Sequence, residues 1–233
     1  METSLRWFRS TGIALLCVLA SRAGAQSLSA AQRDTIDSGG QVVIVEELPG
    51  KAWPRVTVYQ YIAASAEEAA AVFADYERHV TYLPKVRKSH VSRLVDSATV
   101  EVDYVLNTPI VSDERYTVRN HATKVVGQRV AEPRDGSTAS FRVAWTLVRA
   151  SSIKSADGEA IFEPYGDGSL MIYRNLIVPG SGLAGFGPIR AQARPQVEAT
   201  ARAIGKRVAE ERARERPLLD QQLRALRAMV GSP

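Results

Sequence analysis

The fold is decided by residues 41–84, which read QVVIVEELPGKAWPRVTVYQYIAASAEEAAAVFADYERHVTYLP. The run Gln41–Glu47 is rich in β-branched residues, which favours a strand. A Pro-Gly pair in Leu48-Pro49-Gly50-Lys51 suits the type II geometry of a tight turn. The run Arg55–Ala63 then alternates apolar and polar residues, which is typical of a half-buried strand. We therefore predict a strand, a turn and a second strand.

A helix signal follows these strands directly. Ser65-Ala66-Glu67-Glu68 fits a capping box, in which the serine hydroxyl accepts a backbone N–H and the second glutamate reaches back. Apolar residues then recur at helical spacing, until Pro84 ends the pattern. The residues of this apolar face are Ala69, Val72, Phe73, Tyr76 and Val80. The sequence thus predicts one amphipathic helix that ends before Pro84.

Strand signals continue as far as residue 179. The predicted strands are Val86–Leu94, Ala98–Leu106, Arg115–Val125, Ser140–Arg149, Gly158–Pro164 and Leu170–Pro179. Turn signals separate most of them, among them Asp157-Gly158 and Gly166-Asp167-Gly168. Because no helix alternates with these strands, we predict an antiparallel sheet and the α+β class.

A second long helix is predicted near the C-terminus. Its apolar residues step mostly by four and form a stripe that faces the sheet. The stripe consists of Ile189, Ala193, Val197, Ala201, Ile204 and Val208. Pro195 either kinks this helix or marks its true start. Because the stripe is rich in alanine, we expect an unfilled cavity between helix and sheet, and tight packing against large residues such as Trp145 is the alternative.

The chain continues past this stripe. Glu210–Arg216 consists of charged residues and alanine, which indicates a solvated helix face. Pro217 then opens a short amphipathic end.

The first 25 residues have the features of a secretory signal peptide. Two arginines precede the apolar run Ile13–Ala20, and small residues stand at Ala23 and Ala25, the positions that a signal peptidase reads. This run is too short to span a hydrocarbon core of about 30 Å, which argues against a membrane anchor. We therefore expect an exported protein, periplasmic or extracellular, after cleavage near Ala25.

Removing 25 of the 233 residues leaves 208, which suits one domain with a sizeable core. Residues 26–40 are small and polar, and they indicate a flexible leader or a short helix. We assign residues 41–210 to the domain and residues 211–233 to a charged C-terminal helical extension.

Composition excludes several classes of protein. The one cysteine, Cys17, lies in the signal segment, so the mature chain is expected to have neither disulfide nor thiol chemistry. The formal net charge of +5 falls to +3, because the segment carries three basic residues and one acidic residue. No basic strand is interleaved with stacking aromatic residues, which argues against nucleic acid as a partner. We expect a monomer, and transient contact with an anionic membrane surface stays open.

Several stretches resemble the START-like (SRPBCC) superfamily of helix-grip proteins, which includes polyketide cyclases. They are GGQVVIVEELPG (39–50), RVTVYQYIAASAEEAAAVFADYERHVTYLPKVRKSHV (55–91), NTPIVSDERYTVRN (107–120), FEPYGDGSLMIYRNLIVPGSGL (162–183) and PQVEATARAIGKRV (195–208). The resemblance implies a helix-grip fold, in which a curved antiparallel sheet wraps around a long C-terminal helix with an apolar tunnel between them. It also implies that the ligands are lipids, sterols, polyketides or similar molecules.

Two positions depart from the pattern of START relatives. Those relatives carry an arginine directly after Ser-Asp, whereas this chain has Glu114 there and the arginine follows as Arg115. A shift of one residue in a strand turns a side chain to the opposite face, so the role of that arginine does not transfer. Tyr82 stands where those relatives have a tryptophan.

Polar residues on the predicted strands are the first candidates for binding a ligand headgroup. They are Tyr104, Tyr116, Asn120, Tyr173 and Asn175. The apolar candidates for the cavity lining are Phe141, Val143, Trp145, Ala193 and Val197. Leu183 and Phe186 lie in a glycine-rich loop and are candidates for a mobile lid or for membrane contact, and the alternative is that both pack into the core. The alternative for each tyrosine is a core residue whose hydroxyl lies at the rim.

Signals of catalysis or metal binding are weak. Neither His79 nor His90 nor His121 stands at metal-ligand spacing with a second histidine or cysteine. No G-x-S-x-G nucleophile motif occurs. We therefore assign no catalytic residue, no metal and no cofactor.

The preferred hypothesis is that the chain binds a hydrophobic small molecule, such as a lipid, in a cavity between the sheet and the C-terminal helix. One alternative is an enzyme of the cyclase or dehydratase type, which would need Arg115, Asn120, His121 or a tyrosine inside the tunnel. The other is an envelope module that docks a partner through its charged C-terminal helix.

Overall fold

The structure is a computed structural model that describes residues 28–107, 113–126, 139–180 and 187–231. Six α-helices occur in these ranges: α1 (Ala30–Asp37), α2 (Ala66–Ala74), α3 (His79–Tyr82), α4 (Gly187–Ala191), α5 (Ala193–Arg214) and α6 (Arg216–Val230). A 3₁₀ turn, Tyr76–Arg78, lies between α2 and α3. The strands are β1 (Gln41–Glu46), β2 (Arg55–Ile62), β3 (Val86–Leu94), β4 (Thr99–Leu106), β5 (Glu114–Val126), β6 (Ala139–Ala150), β7 (Ile153–Tyr165) and β8 (Gly168–Pro179).

The eight strands of the described ranges form one curved antiparallel sheet in the order β1-β2-β8-β7-β6-β5-β4-β3. Each of β4 to β8 pairs with the strand before it in the chain, and β8 also pairs with β2. The predicted α+β class and antiparallel sheet are confirmed.

The two faces of the sheet are packed differently. Successive side chains of a strand point to opposite faces, and the inner face carries Val58, Trp145 and Phe162 in one large core with α2, α5 and α6. On the outer face, α1 covers β1, β2 and β8 through a smaller cluster that includes Ile36 and Tyr59.

The leader predicted at residues 26–40 contains the helix α1. Ser29 and Gln32 form a capping box at its start, which satisfies two backbone N–H groups that the first turn leaves free. Ile36 is fully buried on the outer face. Of the two interpretations of this segment, the structure therefore shows the short helix.

The amphipathic helix predicted up to Pro84 is wrong in its length. α2 starts after the predicted Ser65 capping box but ends at Ala74, because Asp75 leaves the helical region with φ −82° and ψ 73°. The 3₁₀ turn that follows rotates the next side chains, so that His79 is buried and Val80 is 41% exposed. A helix end leaves carbonyls without partners, and the His79 ring forms a hydrogen bond with the carbonyl of Phe73.

The turn predicted at Asp157-Gly158 is also wrong, because β7 runs through both residues. Gly158 lies opposite Trp145 of β6, and a Cβ atom at Gly158 would overlap the indole ring. The glycine therefore allows a large ring to lie across the strand, and it does not mark a chain reversal.

The C-terminal helices pack as one unit with the sheet. Pro195 lies in the first turn of α5, so it belongs to the start of the helix. α6 has Pro217 in its first turn and buries Leu219, Leu223 and Leu226 in the main core. In the part of the chain that the structure describes, α6 therefore shares its core with the sheet. No helix of the described residues is long and apolar enough to cross a membrane.

The predicted solvated face at Glu210–Arg216 is wrong for one residue. Glu211 is fully buried, and Arg207 donates to its Oε1 at 2.6 Å and also to Glu215. A buried carboxylate requires such a partner, because an isolated charge in the core is strongly disfavoured.

Candidate functional site

A cavity of about 110 Å³ lies on the inner face of the sheet. It occupies one end of the strands, because the register brings Leu106 of β4 next to Glu114 of β5 and Ile153 of β7 next to Pro179 of β8. On the other side, its wall is formed by the chain from the end of α2 to the start of β3.

Burial divides the lining of the cavity into a floor and a rim. The buried floor consists of Phe73, His79, Tyr104, Val118, Asn120, Trp145, Ala156 and Tyr173. The half-buried rim consists of Leu83, Val86, Leu106, Tyr116, Ile153, Asn175 and Ile177. The lining is therefore mostly aromatic and aliphatic, and the rim marks the side from which solvent reaches it.

Aromatic rings hold the floor in place. Trp145 packs against Tyr173 with ring centroids 5.3 Å apart, and Phe73 meets the edge of Tyr173 at 6.3 Å. Elsewhere in the lining, Tyr104 of the floor stacks on Tyr116 of the rim, with ring centroids 5.3 Å apart. Such pairs add to the burial of apolar area and fix the orientation of each ring.

His79 is a buried polar residue in the floor of the cavity. Its Nε2–H donates to the carbonyl of Phe73 at 2.8 Å, and its Nδ1 accepts from the hydroxyl of Tyr104 at 2.7 Å. The carbonyl can only accept, so Nε2 carries the proton of the neutral ring. Burial lowers the pKa of His79 to about 4, against the opposing effect of the Phe73 carbonyl.

The tyrosines of the lining are uncharged as well. Burial raises the pKa of Tyr104, Tyr116 and Tyr173 above the ordinary value of a phenol. No lysine, arginine, aspartate or glutamate is among the described residues that line the cavity. At neutral pH the cavity thus presents hydrogen-bonding groups without net charge.

The structure brings together six of the site residues predicted from the sequence. Tyr104, Tyr116, Asn120, Trp145, Tyr173 and Asn175 all line the cavity. Phe141 and Val143 are buried on the same face but belong to the packed core. On α5, Val197 is buried and Ala193 is half-buried, and neither lines the cavity. Leu183 and Phe186 lie outside the described residues.

The cavity therefore differs in place from the one expected under the alanine-rich stripe. Val197, Ala201, Ile204 and Val208 of α5 are all buried in the main core with β2 residues, and no described α5 side chain reaches the cavity. A Cβ atom at Gly205 would overlap the amide of Gln60. Small residues allow α5 to approach the sheet closely, so they close the gap.

Sequence reasoning predicted six of the fifteen lining residues and missed nine, among them the buried Phe73 and His79. Phe73 was placed on the apolar helix face without a role in the cavity. His79 is three residues after Tyr76, which is the spacing of a 3₁₀ turn, whereas helical spacing favoured Val80. The one signal for His79 is thus the proximity of three aromatic residues, Phe73, Tyr76 and Tyr82.

The residues suggested for an enzyme mechanism divide between the two faces. His121 is exposed and shares a hydrogen bond of 2.8 Å with Thr99 on the outer face. Arg115 is exposed as well. Asn120 and the tyrosines lie in the cavity, so the requirement for a residue inside it is met only by them.

Glu114, which departs from the START pattern, has a structural role. It is buried, and its Oε1 accepts from the backbone N–H groups of Ser151 and Ser152, both at 3.1 Å. These two residues form the turn between β6 and β7. The Glu114 carboxylate therefore accepts from the backbone of this turn, and it shares the Ser151 N–H with the carbonyl of Arg115.

Comparison with solved structures supports the fold. The STAR-related lipid transfer protein from Xanthomonas axonopodis (fragment 25–204) is 17% identical, with a TM-score of 0.61 over 73% of this chain and 94% of that chain. Human STARD10 is 10% identical, with a TM-score of 0.58 over 86% and 87%. The protein TTHA0849 from Thermus thermophilus is 18% identical, with a TM-score of 0.53 over 67% and 97%.

No family model and no curated protein matches the sequence. The structural likenesses establish the START-like helix-grip fold, as the sequence resemblance predicted.

Proposed function

We propose that this chain, with its START-like helix-grip fold, is an exported monomer that binds a hydrophobic small molecule, such as a lipid, in the cavity. The observation that carries the proposal is the lining, in which aromatic and aliphatic side chains surround a few uncharged polar groups. Ligand sites typically have this composition. Transfer of apolar ligand surface from water into such a site is favourable.

The size of the cavity defines how a ligand fits. The volume of about 110 Å³ is below the roughly 300–1,000 Å³ of sites that enclose a drug-sized ligand. A ring or the end of an acyl chain fits inside, and the rest of a longer molecule would lie along the rim. The half-buried Leu106, Ile153 and Ile177 supply an apolar surface there.

One of the structural neighbours supports the lipid class. The Xanthomonas axonopodis protein is described as a STAR-related lipid transfer protein, and the comparison covers nearly all of it. The proposal of a lipid ligand for this chain rests on that likeness together with the lining.

The first test is native mass spectrometry of the purified protein, followed by titration with N-phenyl-1-naphthylamine, an uncharged apolar fluorophore. We expect either a co-purified apolar molecule or a saturable rise in fluorescence that a lipid extract reverses. Absence of both would contradict the proposal.

A cavity-filling variant identifies the site. Ala156 is buried in the floor, so Ala156→Leu places extra volume in the cavity. We expect the affinity for the fluorophore to fall at least about tenfold, because overpacking a site forces its neighbours to shift. Ala144→Leu is the matched control, since Ala144 is half-buried on the outer face of β6. Equal binding by both variants would place the ligand elsewhere.

Export is tested by the intact mass of the protein recovered from the periplasm or the medium. If cleavage follows Ala25, the intact mass corresponds to a chain that starts at Gln26. Ala25→Arg should block this processing, because the peptidase needs a small residue there. A full-length chain retained in the cytoplasm would contradict export and leave the binding proposal standing.

A further inference from the structure

Asn120 has a carboxamide donor that the protein itself does not use. The residue is 4% exposed, it belongs to the cavity floor, and its Nδ2 has no hydrogen-bond partner among the described residues. Buried polar groups nearly always have a partner, so each exception needs an explanation.

The sheet register explains why no protein partner is available. Asn120 lies opposite Val100 of β4 and opposite Trp145 of β6. On its own strand, Val118 and Ala122 are its neighbours on the same face. None of these four side chains carries a hydrogen-bond acceptor. The donor therefore faces either apolar side chains or the space of the cavity.

The charges around this space restrict the chemistry of a partner. The described lining contains neither a lysine nor an arginine that would neutralise an anion. An unpaired charge in such a site is strongly disfavoured. An oxygen that only accepts also adds no further donor to be satisfied, unlike a hydroxyl group.

We propose that Asn120 Nδ2 donates a hydrogen bond to the carbonyl oxygen of an uncharged apolar ketone or ester bound in the cavity. This inference rests on the proposed function, because it names the chemical class of the ligand at the same site. Asn120 would thus distinguish carbonyl compounds from hydrocarbons, while the lack of a cationic residue in the described lining disfavours carboxylates.

Matched single-ring probes test the inference in the full-length mature protein. Acetophenone and α-methylstyrene have nearly the same shape, and they differ in a C=O group against a C=CH₂ group. Benzoate is the anionic counterpart. We expect acetophenone to bind roughly threefold to tenfold more tightly than α-methylstyrene, which is the range of one neutral hydrogen bond, and benzoate to bind more weakly than both.

Variants then assign the preference to one residue. Asn120→Leu keeps the size of the side chain and removes the donor, so the two uncharged probes should bind equally. Ser169→Ala is the control, because Ser169 is also a buried group without a partner among the described residues but lies outside the cavity. It should keep the preference for acetophenone.

A stability measurement separates ligand recognition from a structural role. If the donor serves only a ligand, Asn120→Leu should keep or raise the urea midpoint, because it removes an unsatisfied buried group. A marked fall would overturn the inference. A check that needs no variant is the side-chain ¹⁵N resonance of Asn120 in the wild-type protein, which should shift with acetophenone and not with α-methylstyrene; the lack of such a shift would also overturn the inference.

The outcomes distinguish the two proposals. If acetophenone and α-methylstyrene bind the wild type equally, the cavity binds apolar molecules and the role of Asn120 is refuted. If benzoate binds most tightly, the uncharged class is refuted. If none of these probes and no lipid binds, the proposed function itself fails.

Discussion

The inner face of the sheet has two sides that differ in packing. We call the contact of α5 with β2 the α5 side, and the region around Phe73, His79, Tyr104, Asn120 and Trp145 the cavity side. The α5 side has small residues, including Ala201 and Gly205, and is filled. The cavity side has large rings and is hollow.

This difference shows that residue size does not predict empty space. Small side chains let a helix approach the sheet until backbone and side chains meet, which preserves the close packing of protein interiors. Large rings that are fixed by stacking and hydrogen bonds, such as Tyr104 on His79, cannot collapse into the space between them. The cavity therefore depends on rigid walls.

The strongest test of these walls is acid. The pKa of His79 is lowered by burial from 6.5 to about 4. Below pH 6.5, His79 is protonated in the unfolded chain but stays neutral in the folded chain. The unfolding free energy therefore falls as the pH falls from 6.5 to about 4. The pKa difference corresponds to about 3 kcal/mol of unfolding free energy, measured by urea denaturation across this range.

Two variants isolate the contribution of His79 from that of the carboxylates. His79→Gln should show a flatter dependence of the unfolding free energy on pH, because it lacks the titrating ring. His121→Gln removes an exposed histidine of the outer face and should keep the wild-type dependence. Equal slopes for all three proteins would show that the His79 network is not the acid-sensitive part of the wall.

A second test changes the floor of the cavity side. Gly158→Ala places a Cβ atom where the Trp145 indole and the carbonyl of Arg174 now lie. Overpacking should lower the unfolding free energy by about 2 kcal/mol and shift the tryptophan fluorescence, since Trp145 must move. Gly187→Ala, with nothing within 4 Å of the new atom, is the control. An unchanged urea midpoint for Gly158→Ala would mean that the ring has room to move.

The period-2 pattern of strands made most of the fold and six of the fifteen lining residues predictable. It assigns side chains to faces, so Tyr104, Tyr116 and Asn120 could be placed together on the inner face before their contacts were known. Two helix starts were also predictable, one from the capping box at Ser65 and one from Pro217. These signals depend on residues that are close in sequence, so distant contacts did not change them.

The features that failed depend on contacts between distant residues. Asp157-Gly158 has the chemistry of a turn, but the ring of Trp145 on the next strand decides its conformation. The position of the cavity depends on how closely α5 approaches β2, which no short stretch of sequence encodes. His79 is a local exception, because a single 3₁₀ turn after Asp75 rotates the chain and turns its side chain inward.

The smallest expected effect compares the two sides with the same substitution. Val208 on the α5 side and Val118 on the cavity side are both buried, with exposures of 0% and 4%. Val208→Ala leaves a new void in a filled region, and it should lower the unfolding free energy by about 2 kcal/mol. Val118 already borders a void, so Val118→Ala loses fewer contacts and should lower that free energy by about 1 kcal/mol.

Urea denaturation of both variants at pH 7 measures this difference. A bound apolar ligand should reduce this difference, because a ligand that fills the cavity gives Val118 neighbours that it lacks in the free protein. The loss caused by Val118→Ala should then rise towards that of Val208→Ala when a saturating apolar probe is present, while the loss caused by Val208→Ala should stay the same. Equal losses without a probe would show that both sides are filled in solution, and the distinction between them would be wrong.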